Sequence, residues 1–380
     1  MKKIISLLLV GVMLLSVAGC SKEEETKVTD TKASETTAAV EDAKEEMKEI
    51  VIGISMPTLQ EERWKKDEAM FIKELTALGV KEENILIQSA GGDENKQVTQ
   101  CENLITQGID VLIVVPQNGE AVAPVVESAH EAGVQVVAVD RIINNADLDF
   151  YVTFDAYEIG VVQAEYMINV AGATSGNWIM IGGAPTDPNA TLIRNGQLSL
   201  LQPFIDNGDI NVVLDQNANY WNPDDALLYT EQGLTANDNN VDVVFTSNDG
   251  CAGAAIVALE EQGLAGSVPV PGLDAELSAI HRIIKGTQTM TVYRKLYMQA
   301  AIAAKAAYAL ATDSDDVASV VGATVEMKNN GFKDVPSVLL RSREVMFAVD
   351  QDNIKAVVDD GWLTKEAIYG DLGEEFQPEW

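Results

Sequence analysis

Histidine and cysteine are scarce in this chain: its 380 residues include two histidines and three cysteines. Neither His130 nor His281 stands at a zinc-ligand spacing and no CxxC pair occurs, so we expect no metal site. Without a well-placed histidine, a nucleophilic serine or cysteine has no evident base. The Walker loop, the GxGxxG fingerprint and the GxSxG elbow are also missing, so we expect no cofactor and no enzyme activity. Cys101 and Cys251 are interpreted as buried, unpaired packing residues.

Basic residues are also few. The chain has 26 lysines and arginines against 59 aspartates and glutamates, a formal net charge of -33. Binding to the nucleic-acid backbone requires a basic face, so a nucleic-acid partner is excluded. The acidity is typical of a soluble extracytoplasmic protein.

The N-terminus has the features of a bacterial lipoprotein signal over residues 1–19. Two lysines precede an apolar stretch at 4–17, too short to span a bilayer, and the small residues Ala18 and Gly19 stand before Cys20. Cleavage there and a diacylglyceryl thioether on Cys20 would supply two acyl chains, enough for stable anchoring. An ordinary secretory signal with a chance cysteine is the alternative, which the order of small residues disfavours. We expect an extracytoplasmic protein anchored to the cell membrane by this lipid.

Behind the lipidated cysteine, residues 20–49 are predicted to form a flexible acidic tether. Residues 21–49 are charged, rich in Thr and Ala, and nearly free of large apolar side chains, so they cannot bury enough surface to fold. The folded body begins near Ile50 and runs for roughly 320 residues, above the size at which one core usually divides into two.

A pattern of apolar strand, polar tip and helix occurs twice, which predicts a duplicated ligand-binding half. The first copy runs over residues 109–119 and 134–141, the second over 241–250 and 268–274. Such near-continuous Val, Ile and Leu runs are typical of parallel strands buried on both faces. Ligands of open parallel sheets bind beyond the carboxyl ends of the strands. The polar tips are therefore candidate ligand contacts: Asp140, Arg141, Asn248 and Asp274.

A plainer interpretation is that these tips cap helices or form turns, as Asp and Asn often do. It is preferable for any single tip, whereas the recurrence in two matched halves favours a site. Asp, Asn and Arg combined with Trp64 and Trp221 suit a neutral sugar, because indole faces pack on the apolar side of a pyranose ring. For Trp64, a core position in the first helix is an equally good interpretation.

Strand-like and helix-like segments alternate through the whole body. This alternation predicts an α/β protein with two doubly wound parallel sheets, one in each half. Helices are predicted over residues 61–79 and 157–171. Further strands are predicted at residues 50–55, 84–89, 149–155, 177–183, 210–216 and 289–293.

Several long strings in the sequence match one family. They are ERW (62–64), AVDRIINNADLDFY (138–151), DFYVTFD (149–155), TSND (246–249), GTQTMTVY (286–293) and NNGFKDVPSVLL (329–340). From about Ile50 to about Gly361 the chain resembles the periplasmic sugar-binding proteins of ABC importers, and within them most closely the D-xylose-binding members. The resemblance implies a type I periplasmic binding protein fold.

The resemblance also implies a set of sugar-contacting residues. Relatives carry a lysine where this chain has Arg294, a change that keeps the charge but widens and flattens the donor. The implied contacts are Arg63, Trp64, Asp140, Arg141, Asp187, Asn189, Trp221, Asn248, Asp274 and Arg294.

The implied fold has two lobes joined by three crossovers, so each lobe is discontinuous in sequence. We expect the crossovers near Asp155, Arg294 and Phe332, the last because the string VPSVLL is expected in the second lobe. The expected lobes are 50–155 with 295–331, and 156–294 with 332–372.

The function that the resemblance implies is a monomeric receptor that captures a monosaccharide by hinge closure. D-xylose is the favoured sugar, and an ABC permease with its ATPase is the expected partner. A sugar-sensing lipoprotein that signals through a chemoreceptor or histidine kinase is one alternative. A receptor for another pentose or hexose is a second. A minor third is a glycoside-processing enzyme that uses Asp140 and Asp274 as a carboxylate pair.

Overall fold

The computed structural model describes residues 49–314, 316–378 and 380. The predicted lipoprotein signal, the predicted lipidation site Cys20 and the tether up to residue 48 lie outside these residues. Among the described residues, none of the helices combines the length and the apolar character needed to cross a bilayer.

The described part of the chain contains thirteen strands and twelve α-helices. The strands are β1 (Ile52–Met56), β2 (Ile85–Ser89), β3 (Val111–Val114), β4 (Gln135–Val139), β5 (Phe150–Phe154), β6 (Gly176–Gly182), β7 (Ile210–Asn217), β8 (Val243–Thr246), β9 (Pro271–Leu273), β10 (Met290–Arg294), β11 (Glu326–Asn329), β12 (Asp334–Leu340) and β13 (Met346–Val349). The helices are α1 (Glu62–Ala77), α2 (Glu94–Thr106), α3 (Ala123–Glu131), α4 (Ala156–Asn169), α5 (Pro188–Asn207), α6 (Pro223–Ala236), α7 (Asp249–Glu261), α8 (Leu277–Ile284), α9 (Leu296–Ala311), α10 (Val317–Val321), α11 (Lys355–Asp359) and α12 (Lys365–Tyr369).

The first lobe is built on a seven-stranded sheet of order β11-β12-β5-β4-β3-β1-β2. All neighbours are parallel except the edge pair β11 and β12. Successive side chains of β3 point to opposite faces, so Ile113 packs with α1 and α9 while Leu112 and Val114 pack with α2 and α3. Both faces are covered, which explains why the strand sequences are continuously apolar.

The second lobe contains two three-stranded sheets, β7-β6-β8 and β13-β10-β9. They adjoin where the backbone N–H of Val244 donates to the carbonyl of Pro269 at 3.2 Å. Helices α4 and α5 cover one face around Trp178 and Met180, and α6 and α7 cover the other around Ile179 and Ile181.

The two lobes repeat one strand order. Reading outward from the edge, β2-β1-β3-β4-β5 in the first lobe corresponds to β7-β6-β8-β9-β10 in the second. The predicted duplication and the predicted α/β class are therefore confirmed. The loop after β4 and the loop after β9 occupy equivalent places, and each carries one predicted acid, Asp140 or Asp274.

The prediction for the string VPSVLL is wrong. Strand β12, which contains it, pairs in parallel with β5 in the first lobe, with Ser337 opposite Tyr151 and Leu340 opposite Phe154. The chain therefore crosses to the second lobe after Leu340, and not near Phe332, and reaches it at β13. The other two crossings follow β5 and β10. The apolar string fits either sheet, and its place is decided by pairing with the free side of β5, a contact that its own sequence does not reveal.

The two cysteines of the described chain are buried and unpaired, as predicted. Cys101 lies in α2 in the first-lobe core, and Cys251 lies in α7 in the second. Burial raises the pKa of the Cys101 thiol to about 11 and that of Cys251 to about 12. Both thiols therefore stay protonated and unreactive at neutral pH.

Helices α4 and α5 cross at two glycines, and this contact sets the position of the α5 N-terminus in the cleft. A Cβ on Gly160 would lie 2.0 Å from the carbonyl oxygen of Ile193, and one on Gly196 would lie 2.0 Å from that of Tyr157. Only hydrogen fits at either position, because the obstacle is backbone that cannot rotate away.

We expect Gly196→Ala to lower the free energy of unfolding by about 2 to 3 kcal/mol, since the helices must separate to admit the methyl group. Urea unfolding monitored by circular dichroism measures this. Gly250→Ala is the matched control, because a Cβ there meets no heavy atom closer than 3.6 Å, and it should be neutral or slightly stabilising. Equal stability of the two variants would contradict the crossing argument.

Candidate ligand-binding site

One cavity of about 40 Å³ lies between the lobes and brings together all ten predicted site residues. Five further residues also line it, and no prediction included them. The ten are Arg63, Trp64, Asp140, Arg141, Asp187, Asn189, Trp221, Asn248, Asp274 and Arg294; the five are Glu61, Phe154, Ile159, Ile193 and Leu273.

The first lobe contributes Arg63 and Trp64 from the first turn of α1, directly after β1. The Arg63 guanidinium stacks 4.0 Å above the Trp64 ring and lies 3.3 Å from the carboxylate of Asp67. Trp64 is 4% exposed and belongs to the first-lobe core while its ring also reaches the cavity. The core interpretation of Trp64 is therefore confirmed, and core packing also fixes the position of the ring at the cavity wall.

Asp140 directly follows β4 and has a left-handed backbone, with a φ of 65°. Aspartate tolerates this conformation better than most residues. The hydroxyls of Tyr151 and Thr153 donate to its carbonyl at 2.9 and 2.7 Å and hold the turn in place. The carboxylate is thereby directed into the cleft, where Asn189 of the second lobe donates to it at 2.9 Å and Arg63 pairs with it.

Arg141 extends from the same tip across the cleft. Its Nη1 donates to the carbonyls of Pro116 and Gln117 at 2.9 and 3.3 Å, so the first lobe fixes its direction. Its Nε lies 2.7 Å from Oδ2 of Asp187 in the second lobe. Asp187 in turn caps α5, because its Oδ1 accepts the backbone N–H of Asn189 at 2.9 Å.

Asp274 and Arg294 form the opposite wall. Asp274 follows β9 with a φ of 104°, and Ala275 after it has a φ of 49°. Arg294 ends β10 and pairs with Asp274, while its Nη1 lies 3.7 Å from Asp140 of the first lobe. Arg294 directs two different guanidinium nitrogens at the two acids, whereas a lysine would have to reach both with one nitrogen, so Arg294 links the two equivalent tips.

Trp221 closes the cavity from the side. Its indole N–H donates to Oδ2 of Asp187 at 3.0 Å, and its backbone has a φ of 59°. The ring lies on Gly183, where a Cβ would come within 2.2 Å of it. Asn248, which the sequence suggested as either ligand contact or cap, does cap α7 by accepting the N–H of Cys251 at 3.0 Å, and it also lines the cavity.

Burial changes the electrostatics of the cavity. It lowers the pKa of Arg63 to about 10, with the neighbouring Arg294 as the next cause, so the guanidinium remains charged at neutral pH. Burial also raises the pKa values of Asp67 and Glu61 above their usual range. Three arginines and three aspartates thus face each other in a site with little net charge: Arg63, Arg141, Arg294, Asp140, Asp187 and Asp274.

Asp249 supports the site from behind. Its fully buried carboxylate accepts from Gln288 Nε2 at 2.8 Å, from the Thr291 hydroxyl at 2.9 Å and from the Glu276 N–H at 3.0 Å. These bonds hold the turn that carries Asp274. The residue stands in the TSND string, and no prediction assigned it a role.

The acids around this turn give the stability a pH dependence. Burial raises the pKa of Glu276 to about 8, with the nearby charges of Asp249, Asp274 and Glu62 adding to the shift and Arg282 opposing it. Burial likewise raises the pKa of Asp249 to about 7. The folded protein therefore keeps protons that the unfolded chain releases near pH 4 to 5, roughly the ordinary carboxyl range.

We expect these two groups to contribute most to the free energy of unfolding below about pH 4 to 5. Their contribution should fall as the pH rises to about 8, because the folded protein then loses the protons that it holds more tightly than the unfolded chain. Glu276→Gln should remove on the order of 2 kcal/mol of that fall, about half the value of the full shift, because the side chain is only partly buried. Urea unfolding of both proteins near pH 5 and near pH 8 measures it. An equally steep fall in the variant would show that Glu276 does not carry the effect.

A family model described as a periplasmic binding protein domain matches residues 52–315, which is more than half of the chain. The chain belongs to the periplasmic binding protein family. It is 45% identical over 323 residues to the D-xylose-binding periplasmic protein of Haemophilus influenzae, covering 85% of this chain and 93% of that one. It is 43% identical over 316 residues to the protein of the same name from Escherichia coli, covering 83% of this chain and 91% of that one.

Among solved structures, this periplasmic binding protein is similar to a carbohydrate transporter solute-binding protein from Chloroflexus aurantiacus in complex with D-glucose. The TM-score is 0.74 at 31% identity, over 84% of this chain and 98% of that one. The type I periplasmic binding protein fold is confirmed by this likeness together with the family match. The relatives are solute-binding proteins, so the chain is a binding protein and not an enzyme, and the glycoside-processing alternative is ruled out.

Proposed function

We propose that this periplasmic binding protein captures a monosaccharide, D-xylose in preference to others, in the cavity between its lobes. The observation that carries the proposal is the cavity itself, which joins three arginines, three aspartates, two asparagines and two tryptophans from both lobes. Its polar groups bind hydroxyls and its indole faces bind the C–H side of a sugar ring.

Among the described residues, three that line the cavity have a buried side-chain atom without a hydrogen-bond partner. One of these atoms, Arg141 Nε, still lies 2.7 Å from Oδ2 of Asp187, and the other two are available to a ligand. Within the described residues, Glu61 Oε2 and Arg294 Nε are buried without a hydrogen-bond partner. Glu61 Oε2 can only accept from a hydroxyl while its carboxyl is ionised, and Arg294 Nε can only donate to one. A sugar hydroxyl can do both, so a polyol satisfies this pair where an apolar ligand would leave it unsatisfied.

The lobes must separate to admit a sugar. The cavity volume of about 40 Å³ has room for no more than a few water molecules. Contacts across the cleft occupy the remaining space: Arg141 with Asp187, Arg294 with Asp140, and Asn189 with Asp140. A hydroxyl inserted between an arginine and an aspartate accepts a hydrogen bond from the arginine and donates one to the aspartate. Each direct contact between the lobes is then replaced by a contact through the sugar once the lobes close.

The choice of D-xylose is supported by the two relatives at 45% and 43% identity, whose names state that they bind it. Arg294 stands where the resemblance places a lysine, so the cavity wall at this point has a broader side chain than the resemblance implies. The further parts of the proposal are a diacylglyceryl anchor on Cys20, which would hold the receptor at the outer face of the cell membrane, and delivery of the closed, loaded form to an ABC permease and its ATPase.

Titration calorimetry with D-xylose, D-glucose, D-ribose and D-galactose tests the proposal. Heat of binding for at least one of these monosaccharides, with a stoichiometry near one, is expected. Absence of binding across the panel would refute the receptor role.

A further inference from the structure

The turn that carries Asp274 is held by an unusual run of hydrogen bonds. Four consecutive backbone N–H groups, those of residues 274–277, each donate to a different acceptor. In order, the acceptors are Val292 O at 2.9 Å, Thr291 Oγ1 at 3.1 Å, Asp249 Oδ2 at 3.0 Å and Glu62 Oε2 at 3.0 Å. The first three acceptors belong to the second lobe, and the fourth belongs to the first.

The fourth bond caps a helix from the opposite lobe. Leu277 is the first residue of α8, and Glu276 before it provides no side-chain cap. The carboxylate of Glu62 supplies the missing acceptor, and its negative charge at a helix N-terminus adds to the attraction. Because α1 and α8 belong to different lobes, this cap exists only while the cleft is closed.

The neighbours of Glu62 strengthen the same junction. Lys66, one turn later in α1, pairs with Glu62 at 2.8 Å and donates to the carbonyl of Trp362 at 3.3 Å. Its ammonium also lies 3.9 Å above the Trp362 ring. The Trp362 indole N–H donates to the carbonyl of Ala275 at 2.8 Å. The contacts through Lys66 and Trp362 therefore also connect Glu62 to the turn of Asp274. None of these three residues lines the sugar cavity.

We propose that Glu62 is a positioning residue that sets the lifetime of the closed, sugar-loaded form by capping α8 across the cleft. The inference rests on the proposed function, since it concerns release of the captured sugar. Glu62 makes no contact with the ligand. It fixes the turn that presents Asp274, and it is bound only after the lobes meet. Its loss therefore speeds opening and leaves the first encounter of sugar with the open cleft unchanged.

Stopped-flow fluorescence of Trp64 and Trp221, which line the cavity, follows sugar binding and release. Glu62→Ala is expected to release D-xylose about fivefold faster than the wild type, the loss of one helix cap, with association within about twofold. Glu62→Gln keeps an acceptor for the Leu277 N–H and should stay within about twofold of the wild type in both rates. Glu68→Ala removes the same charge from the same helix and should leave both rates unchanged.

Release from Glu62→Ala at the wild-type rate would overturn the inference, and so would a Glu62→Gln variant that behaves like Glu62→Ala. Circular dichroism of the sugar-free proteins identifies a folding defect, because loss of one contact between the lobes leaves the secondary structure unchanged. If the wild type binds none of the monosaccharides, the proposed function fails on its own. Small-angle scattering of the sugar-free proteins then decides the inference: a more open Glu62→Ala protein supports it, and identical curves refute it.

Discussion

Asp140→Ala and Asp274→Ala are each expected to weaken D-xylose binding by roughly tenfold to a hundredfold while the protein stays folded. Each carboxylate lines the cavity that we propose closes over the sugar, where losing a charged hydrogen-bond partner costs on the order of 1.5 to 3 kcal/mol. The fold should tolerate both changes, because the arginines keep other partners. Arg63 retains Asp67, and Arg294 retains whichever of the two acids is not replaced.

Calorimetric titration measures these affinities, and circular dichroism checks the fold. Asp147→Ala is the matched control for Asp140, because Asp147 lies in the loop after the same strand but is half exposed and pairs with Lys333 away from the cavity. It should bind sugar like the wild type. Normal affinity in either cavity variant would mean that the equivalent tips of the two lobes are turn residues and nothing more.

D-xylose is expected to bind roughly a hundredfold more tightly than D-glucose, which carries one additional hydroxymethyl group at C5. A closed site with little free volume rejects the larger sugar by steric clash, and a penalty of about 3 kcal/mol gives this ratio. Competition calorimetry with the two sugars measures it. Tighter binding of glucose, galactose or ribose would defeat the xylose assignment and leave the monosaccharide receptor standing.

Arg294→Lys tests the physical reason for that preference. Arginine reaches Asp274 and Asp140 with two separate nitrogens, whereas lysine is slimmer and has one nitrogen, so the substitution leaves space and weakens the link between the two acids. The xylose-to-glucose ratio should fall by about tenfold, or about 1.4 kcal/mol. An unchanged ratio would show that other parts of the wall set the sugar preference.

Most of the fold could be predicted because buried parallel strands have a clear signature. The apolar runs before Asp140 and Asp274 locate β4 and β9, and their repetition predicts the shared strand order that the two lobes show. The place of β12 could not be predicted in the same way. An apolar string predicts that the segment is buried, but it does not predict the strand with which the segment pairs. That partner is distant in sequence, here β5.

The site divides along a similar line. Its polar members at the tips of apolar strands can be read from the sequence, and the other polar members follow from the family resemblance. By contrast, Phe154, Ile159, Ile193 and Leu273 look like ordinary core residues and give no signal of a cavity wall. Glu61 adjoins the ERW string and could have been suspected from that position. The left-handed turns at Asp140 and Asp274 also have no sequence signature, because surrounding hydrogen bonds impose them.

The chain passes between the lobes three times, after β5, after β10 and after β12. A single linker would let one lobe rotate freely about the other. Three connecting segments of fixed length resist twisting, so bending between the lobes is the motion of lowest energy. We therefore expect opening to be a hinge bending of one lobe relative to the other about a single axis. If the receptor docks on a permease as we propose, that partner would have to distinguish only the angle between the lobes. One rigid surface that contacts both lobes would then be enough to tell the loaded form from the empty one.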